Sequence, residues 1–356
     1  MPQKIRVLVV DDSAFARVAI SKRLRAESRI EVIGHARDGI EAVDQTKNLK
    51  PDVVTMDVTM PRMDGIEAVE KIMKECPTPI VMLSALTREG ADVTIKALEL
   101  GAVDFFLKPS IVSPVGNEEE TGGLMEKLVV AAGAKLQRPG PSGRKKPRQA
   151  SPKQVVKRAS RIEKVIVLGS STGGPGALNK VLPLLPGGLP ATVLMVQHMP
   201  TGFTRSLAQR LNNISEFDLK EAENGDFLKP GLALIAPGGS HMIMDKEGRI
   251  SLDQGPQECG LRPAVDVTMQ WAAKHFGDSV IGVVLTGMGH DGTRGTGLIK
   301  KNGGEVIVED ESTCVVYGMP KSIVDAGFAD IVLPLPEIAE EIIRRCRVGS
   351  KSVVGV

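Results

Sequence analysis

Hydrophobic positions along the chain form two series of short apolar runs, separated by a stretch in which no hydrophobic period survives. In the first series, runs at 5–10, 31–34, 51–57, 79–84 and 102–109 have the length and β-branched content of buried strands. Helical spacing marks 39–47, 65–75, 91–100 and a last helix from about 124. Another helix follows Ser13, which is placed to cap it, with Phe15, Ala19 and Leu24 near helical spacing. Strict strand–helix alternation predicts a parallel sheet of five strands covered on both faces, with ligands at the carboxyl ends of the strands.

The second series begins at 165–168, a β-branched run that stops at Gly169-Ser170-Ser171-Thr172-Gly173-Gly174. Further strands are predicted at 191–198, 232–236, 280–285, 305–308 and 331–333, with a hairpin formed by 241–245 and 249–253. Residues 264–276 read as a helix carrying the only tryptophan, Trp271, and 337–345 as an amphipathic helix with Ile338, Ile342 and Ile343 on one face. This predicts a second, doubly wound α/β domain with an antiparallel hairpin. Between the two, residues 137–160 shift to Pro, Gly, Ser, Lys and Arg, centred on Arg144-Lys145-Lys146-Pro147-Arg148. They read as a flexible basic linker; without interleaved aromatics, nucleic acid is a poor partner for it. The expected division is 1–136, linker 137–160, 161–349, and a tail at 350–356.

Composition narrows the class without naming an activity. Hydrophobic residues make up 42% and charged residues 25% of 356 residues, and the net charge of +2 selects no acidic partner. No apolar run approaches the ~20 residues needed to span a bilayer, and no signal-peptide core opens the chain. Cys76, Cys259, Cys314 and Cys346 have no paired spacing, so neither a zinc site nor a disulfide framework is indicated. The expectation is a cytoplasmic protein without membrane insertion.

The strand ends of the first series carry chemistry. Strand one ends in Asp11 and Asp12, strand three in Asp57, strand four in Ser84 and strand five in Lys108. Three converging carboxylates repel unless a cation shares them, and hard oxygen ligands suit Mg²⁺. A lysine and a hydroxyl beside them suit a transient anion such as a phosphoryl group on Asp57. In this order the residues resemble a two-component receiver domain of the flavodoxin-like fold. The resemblance implies Asp57 as phosphoacceptor, and Asp11, Asp12, Asp57 and the Thr59 carbonyl as Mg²⁺ ligands. It also implies Ser84 and Lys108 as phosphoryl contacts and Phe105 as the aromatic switch.

In the second series, Gly169-x-Ser171-x-Gly173 has the spacing of a nucleophile elbow. A Gly-rich phosphate or dinucleotide loop is the competing reading, although no P-loop lysine follows and the glycines miss the Gly-x-Gly-x-x-Gly register. Ser171, His198 and Asp291 each follow a separate buried strand and can reach one crevice. A serine hydroxyl needs an imidazole to take its proton, and the imidazole needs a carboxylate to fix its tautomer. Rivals stand beside each: Ser170 for the nucleophile, His241 and His290 for the base, Asp266 and Asp310 for the acid.

The motifs Gly169-x-Ser171-Thr172-Gly173-Gly174, Gln197-His198-Met199-Pro200, Ala236-Pro237-Gly238-Gly239, Arg262-Pro263-Ala264-Val265-Asp266, Leu285-Thr286-Gly287-Met288-Gly289-x-Asp291-Gly292 and Val316-Tyr317-Gly318-Met319-Pro320-Lys321 resemble the catalytic domain of the CheB chemotaxis methylesterase family. That resemblance implies Ser171 as nucleophile, His198 as base, Asp291 as orienting acid and the Met288 backbone N–H as oxyanion donor. No cofactor is implied for the esterase. It further implies glutamate γ-methyl esters and specific glutamines of chemoreceptors as substrates, and a chemotaxis histidine kinase as phosphodonor. The unphosphorylated receiver is expected to cover the crevice. Two positions depart from the family pattern, Ser170 where Ala is common and His290 where Asn is common. The alternative is a response regulator with a nucleotide- or DNA-binding output domain, against which no helix-turn-helix pattern follows the linker.

Overall fold

The computed structural model describes residues 4–85, 87–108, 118–136 and 161–348. The expected linker, Pro109 and the expected tail lie outside the described residues. The chain divides into two compact units, Met1–Gly143 and Arg144–Val356.

In the first unit, five parallel strands, β1 (Ile5–Val10), β2 (Ile30–Ala36), β3 (Val53–Asp57), β4 (Ile80–Ser84) and β5 (Asp104–Leu107), lie in the order β2-β1-β3-β4-β5. They alternate with helices α1 (Ala14–Arg25), α2 (Gly39–Leu49), α3 (Gly65–Glu75), α4 (Arg88–Glu99) and α5 (Glu118–Ala132). Four helices are started by side chains that accept backbone N–H groups: Ser13 for α1, Asp38 for α2, Asp64 for α3 and Thr87 for α4. The strand order reverses between β1 and β3, which opens a crevice at their carboxyl ends.

Two expectations shift. On α1, Leu24 is buried as expected, but Ala16 and Ile20 take the core positions expected of Phe15 and Ala19, and Phe15 is exposed. The last helix starts at Glu118, a turn and a half before the apolar residues that betrayed it.

In the second unit, seven parallel strands take the order β14-β13-β12-β6-β7-β9-β8. They are β6 (Lys164–Ser170), β7 (Ala191–Gln197), β8 (Asp218–Glu221), β9 (Leu232–Ile235), β12 (Val280–Val284), β13 (Glu305–Glu309) and β14 (Ile331–Leu333). The hairpin is β10 (His241–Met244) with β11 (Ile250–Asp253), antiparallel as expected. The helices are α6 (Gly174–Val181), α7 (Phe203–Ile214), α8 (Val265–Phe276), α9 (Thr293–Lys301), α10 (Met319–Asp325) and α11 (Leu335–Val348). Edge strand β8 was not expected: of its four residues only Leu219 is buried, so its sequence carries little apolar signal.

Val165, Val167, Leu194, Val196, Val280 and Val284 are fully or almost fully buried against Val265 and Met269 of α8. Burial of this order contributes about 2 kcal/mol per side chain and makes β6, β7 and β12 a rigid base for the loops at their carboxyl ends. The chain starts this sheet at β6, builds outward on one side and returns to β12 on the other. The crevice therefore opens where β6 meets β12.

Candidate active site

Ser171 and His198 are the first residues past two hydrogen-bonded strands. β6 and β7 pair in register up to Ser170 opposite Gln197. The ladder runs one bond further, His198 N donating to Ser170 O at 3.2 Å. Ser171 and His198 thus occupy the next rung.

The turn after Ser171 admits only glycine. Gly173 has φ +79°, and a Cβ there would lie 2.6 Å from Val315 Cβ. Gly174 spends its amide on Ser171 O at 2.8 Å. The Ser171 amide donates to Thr286 O at 3.1 Å, and its carbonyl also accepts from Gln197 Nε2 at 2.9 Å. Its side chain is half-buried, and the hydroxyl has no hydrogen-bond partner among the described residues. Ser170 is fully buried, and its hydroxyl donates to Gln197 Oε1 at 2.7 Å. Of the two serines, Ser170 thus spends its hydroxyl within the fold.

His198 Nε2 donates to Asp291 Oδ2 at 2.8 Å, leaving Nδ1 as the ring nitrogen not facing the carboxylate. Asp291 is 3% exposed and lies several residues beyond β12 rather than directly after it. Its Oδ2 also accepts from Val265 N at 2.6 Å, and its Oδ1 from Asp266 N at 2.8 Å. These are the first amides of α8, whose own N-cap, Ala264, supplies no side-chain bond. Asp291 therefore caps α8 from a distant part of the chain, in the positive field of the helix N-terminus. Burial pushes its carboxyl up, but the His198 bond and charge and the two amides outweigh this and hold it below the usual carboxylate range.

The remaining rivals have other duties. His241 is buried, bonding Pro256 O through Nε2 and accepting Ala264 N at Nδ1. His290 is exposed, with Nε2 3.7 Å from Cys259 Sγ. Asp266 receives Gly295 N and Arg294 Nε, and Asp310 closes a turn on Ser312. The Met288 amide has no hydrogen-bond partner among the described residues, in a loop whose Gly287 is tied to Val316 and α10.

At the edge of the first sheet, the ligand atoms of Asp11, Asp12 and Asp57 lie within 4.8 Å of one another. Lys108 Nζ reaches Asp57 Oδ2 at 2.8 Å and Asp11 Oδ2 at 2.9 Å. Burial, with Asp11 adding to it, raises the Asp57 carboxyl above the usual range despite Lys108 and the Val58 amide. Apart from the Lys108 ammonium at 2.9 Å, the buried Asp11 Oδ2 has no hydrogen-bond partner among the described residues, which leaves a lone pair that a hard cation fits. Ser84 sits at the same edge, fully buried, but its hydroxyl lies against Thr94 Oγ1 at 2.7 Å rather than Asp57. Phe105 is buried, and Thr59 is exposed two residues past Asp57.

Sequence reasoning passed over Gln197, Thr286 and Glu309, which hold the Ser171 turn and its neighbouring loop together. Gln197 and Glu309 share a readable sign with Asp57: each is a polar residue closing an apolar strand.

Fold and sites define a class, a receiver-type regulatory unit followed by an α/β unit with a hydrolase-like serine turn. Residues 7–113 match the response regulator receiver domain model, and 166–342 match that of the CheB methylesterase. The protein-glutamate methylesterase/protein-glutamine glutaminase of Symbiobacterium thermophilum is 47% identical over 96% of both chains. That of Thermotoga maritima is 45% identical over 95% of this chain and 98% of its own. The crystal structure of the Thermotoga maritima CheB methylesterase catalytic domain is 49% identical, covers 51% of this chain and 98% of its own, and has a TM-score of 0.50. This chain belongs to the CheB methylesterase family.

Proposed function

We propose that the chain is a phosphorylation-controlled chemotaxis enzyme that hydrolyses glutamate γ-methyl esters, and deamidates specific glutamines, on methyl-accepting chemoreceptors. The observation that carries this is the His198–Asp291 pair on the rung beside Ser171, with Ser170 committed elsewhere. Ser171 Oγ attacks the ester carbonyl carbon and gives its proton to His198. Because Nε2 is held by Asp291, the proton goes to Nδ1, the reverse of the arrangement in the serine proteases. The Met288 amide, with one from the Gly173-Gly174 turn, serves the oxygen that becomes negative; one such donor contributes about 3 kcal/mol to the transition state. The tetrahedral intermediate collapses, methanol leaves with the proton from Nδ1, and water resolves the acyl-enzyme by the same route.

Asp57 accepts a phosphoryl group from a chemotaxis histidine kinase, and this raises the esterase rate. Asp11, Asp12, Asp57 and the Thr59 carbonyl would hold Mg²⁺, which when bound would supply positive charge beside the phosphoacceptor. Lys108 and Ser84 bind the phosphoryl oxygens, and Phe105 reports the change to its surroundings. A kinase phosphodonor and receptor substrates of this kind imply a cytoplasmic protein. Among the described residues no helix is long and apolar enough to cross a membrane.

Methanol release from methylated receptor, with and without a phosphodonor, tests the reading. Ser171→Ala should abolish release, whereas Ser170→Ala should retain most of it; the opposite pattern would overturn the assignment.

A further inference from the structure

We infer that Glu309 is a positioning residue for the hydrolytic reaction, its carboxylate fixing the Thr286 amide so that the Ser171 turn is seated relative to the Met288 amide. The inference rests on the reading of Ser171 and Met288 given above. Strand β13 is apolar through 306–308 and then ends in a carboxylate with no exposed surface (0%). Burial raises its carboxyl above the usual range, and Lys180 acts on it through charge, with no ion pair among the described residues. A buried carboxylate is costly and persists only where donors are supplied. Here Thr286 N donates to Oε2 at 2.7 Å and the Thr313 hydroxyl to Oε1 at 3.1 Å.

Thr286 is where the parts of the site meet. Its carbonyl accepts the Ser171 amide at 3.1 Å. Its hydroxyl lies 3.0 Å from Thr172 O and accepts Val316 N at 2.9 Å. Those partners are all backbone groups, so among the described residues Glu309 is the one side chain that holds Thr286. One residue on, the loop abuts the nucleophile: a Cβ on Gly287 would lie 2.9 Å from Ser171 Cβ. Gly287 is fixed through its amide to Val316 O and through its carbonyl to the first amides of α10. Rotation of the Leu285–Thr286 peptide would shift Ser171, whose amide rests on the Thr286 carbonyl, relative to a Met288 amide that the Gly287 bonds hold in place. Loss of the Glu309 anchor permits that rotation without removing any group that touches substrate.

The test is the kcat and KM of methanol release by the full chain carrying Glu309→Met, Glu309→Asp or Glu309→Gln. Glu309→Met fills the space without an acceptor, Glu309→Asp keeps the charge but withdraws it by one methylene, and Glu309→Gln keeps the acceptor and loses the charge. Met should lower kcat about 10- to 100-fold, a fraction of what losing an oxyanion donor costs, with KM within about two-fold. Gln should remain within about five-fold of wild type, and Asp should fall between the two. Equal kcat in all folded variants, or a rise in KM at constant kcat, would overturn the inference. If Glu309→Met does not accumulate folded, Asp against Gln decides: Asp as active as Gln, or more active, overturns it. Ser171→Ala is run alongside. Methanol release surviving in that variant would sink the underlying site reading, whatever Glu309 does.

Discussion

Asp57 and Asp291 stand at comparable places, each buried at the carboxyl edge of a parallel sheet near its strand-order reversal, 6% and 3% exposed. Burial pushes both carboxyls up, yet one ends above the usual range and the other below it. The difference lies in the company. Asp57 has Lys108 and one amide in its favour but shares its crevice with Asp11, whose charge adds to the rise. Asp291 also has a carboxylate nearby, Asp266, but two amides at a helix start and an imidazole bind it directly and outweigh burial. A crowded carboxylate is suited to sharing a cation and passing through a neutralised, phosphorylated state. A carboxylate solvated by amides is suited to remaining an anion while its histidine partner gains and loses a proton.

Removing the charge at each position separates these roles. Asp291→Asn should give the largest effect: the amide fits the same space, but the imidazole tautomer is no longer enforced, and kcat should fall by about 10⁴ with KM little changed. Next, Asp57→Asn should abolish the increase in methanol release produced by a small-molecule phosphodonor. A stimulated rate surviving in that variant would mean the phosphoryl group acts elsewhere.

The smallest effect concerns stability in acid. The folded value of Asp291 lies below the unfolded one of about 3.9, so its contribution is fully present above that pH and is lost as pH falls through the folded value. Chemical denaturation of wild type and Asp291→Asn should therefore differ near neutrality and converge progressively below about pH 4. A gap that stays constant down to the acid limit would show that Asp291 is not held as a favoured anion.

Much of this was legible in the chain because the strands are short, apolar and closed by polar residues. Asp57, Ser84 and Lys108 announce themselves as interruptions at strand ends, and the Gly-flanked Ser171 does the same. What stayed hidden depends on backbone groups or weak periodicity. The amides of Val265 and Asp266 that receive Asp291 have no side-chain signature and lie about 25 residues away in sequence. Helix α7 begins after Gly202 with no side-chain cap, and α9 opens at Gly292 the same way, so neither start carries a capping signal. On α1, Phe15 invited a place in the core that Ala16 takes instead, because helix phase is set by the whole stripe and not by its largest member.

The ladder between β6 and β7 carries one more consequence. Neighbouring strands are held about 4.8 Å apart, so the spacing of the Ser171 and His198 backbones is a property of the sheet rather than of any loop. Pulling the two apart means tearing a central seam of the unit. Regulation of the proposed chemistry therefore has to act through side chains, the neighbouring loop or access of the ester, none of which requires that seam to open, so switching should need no slow rebuilding of the sheet.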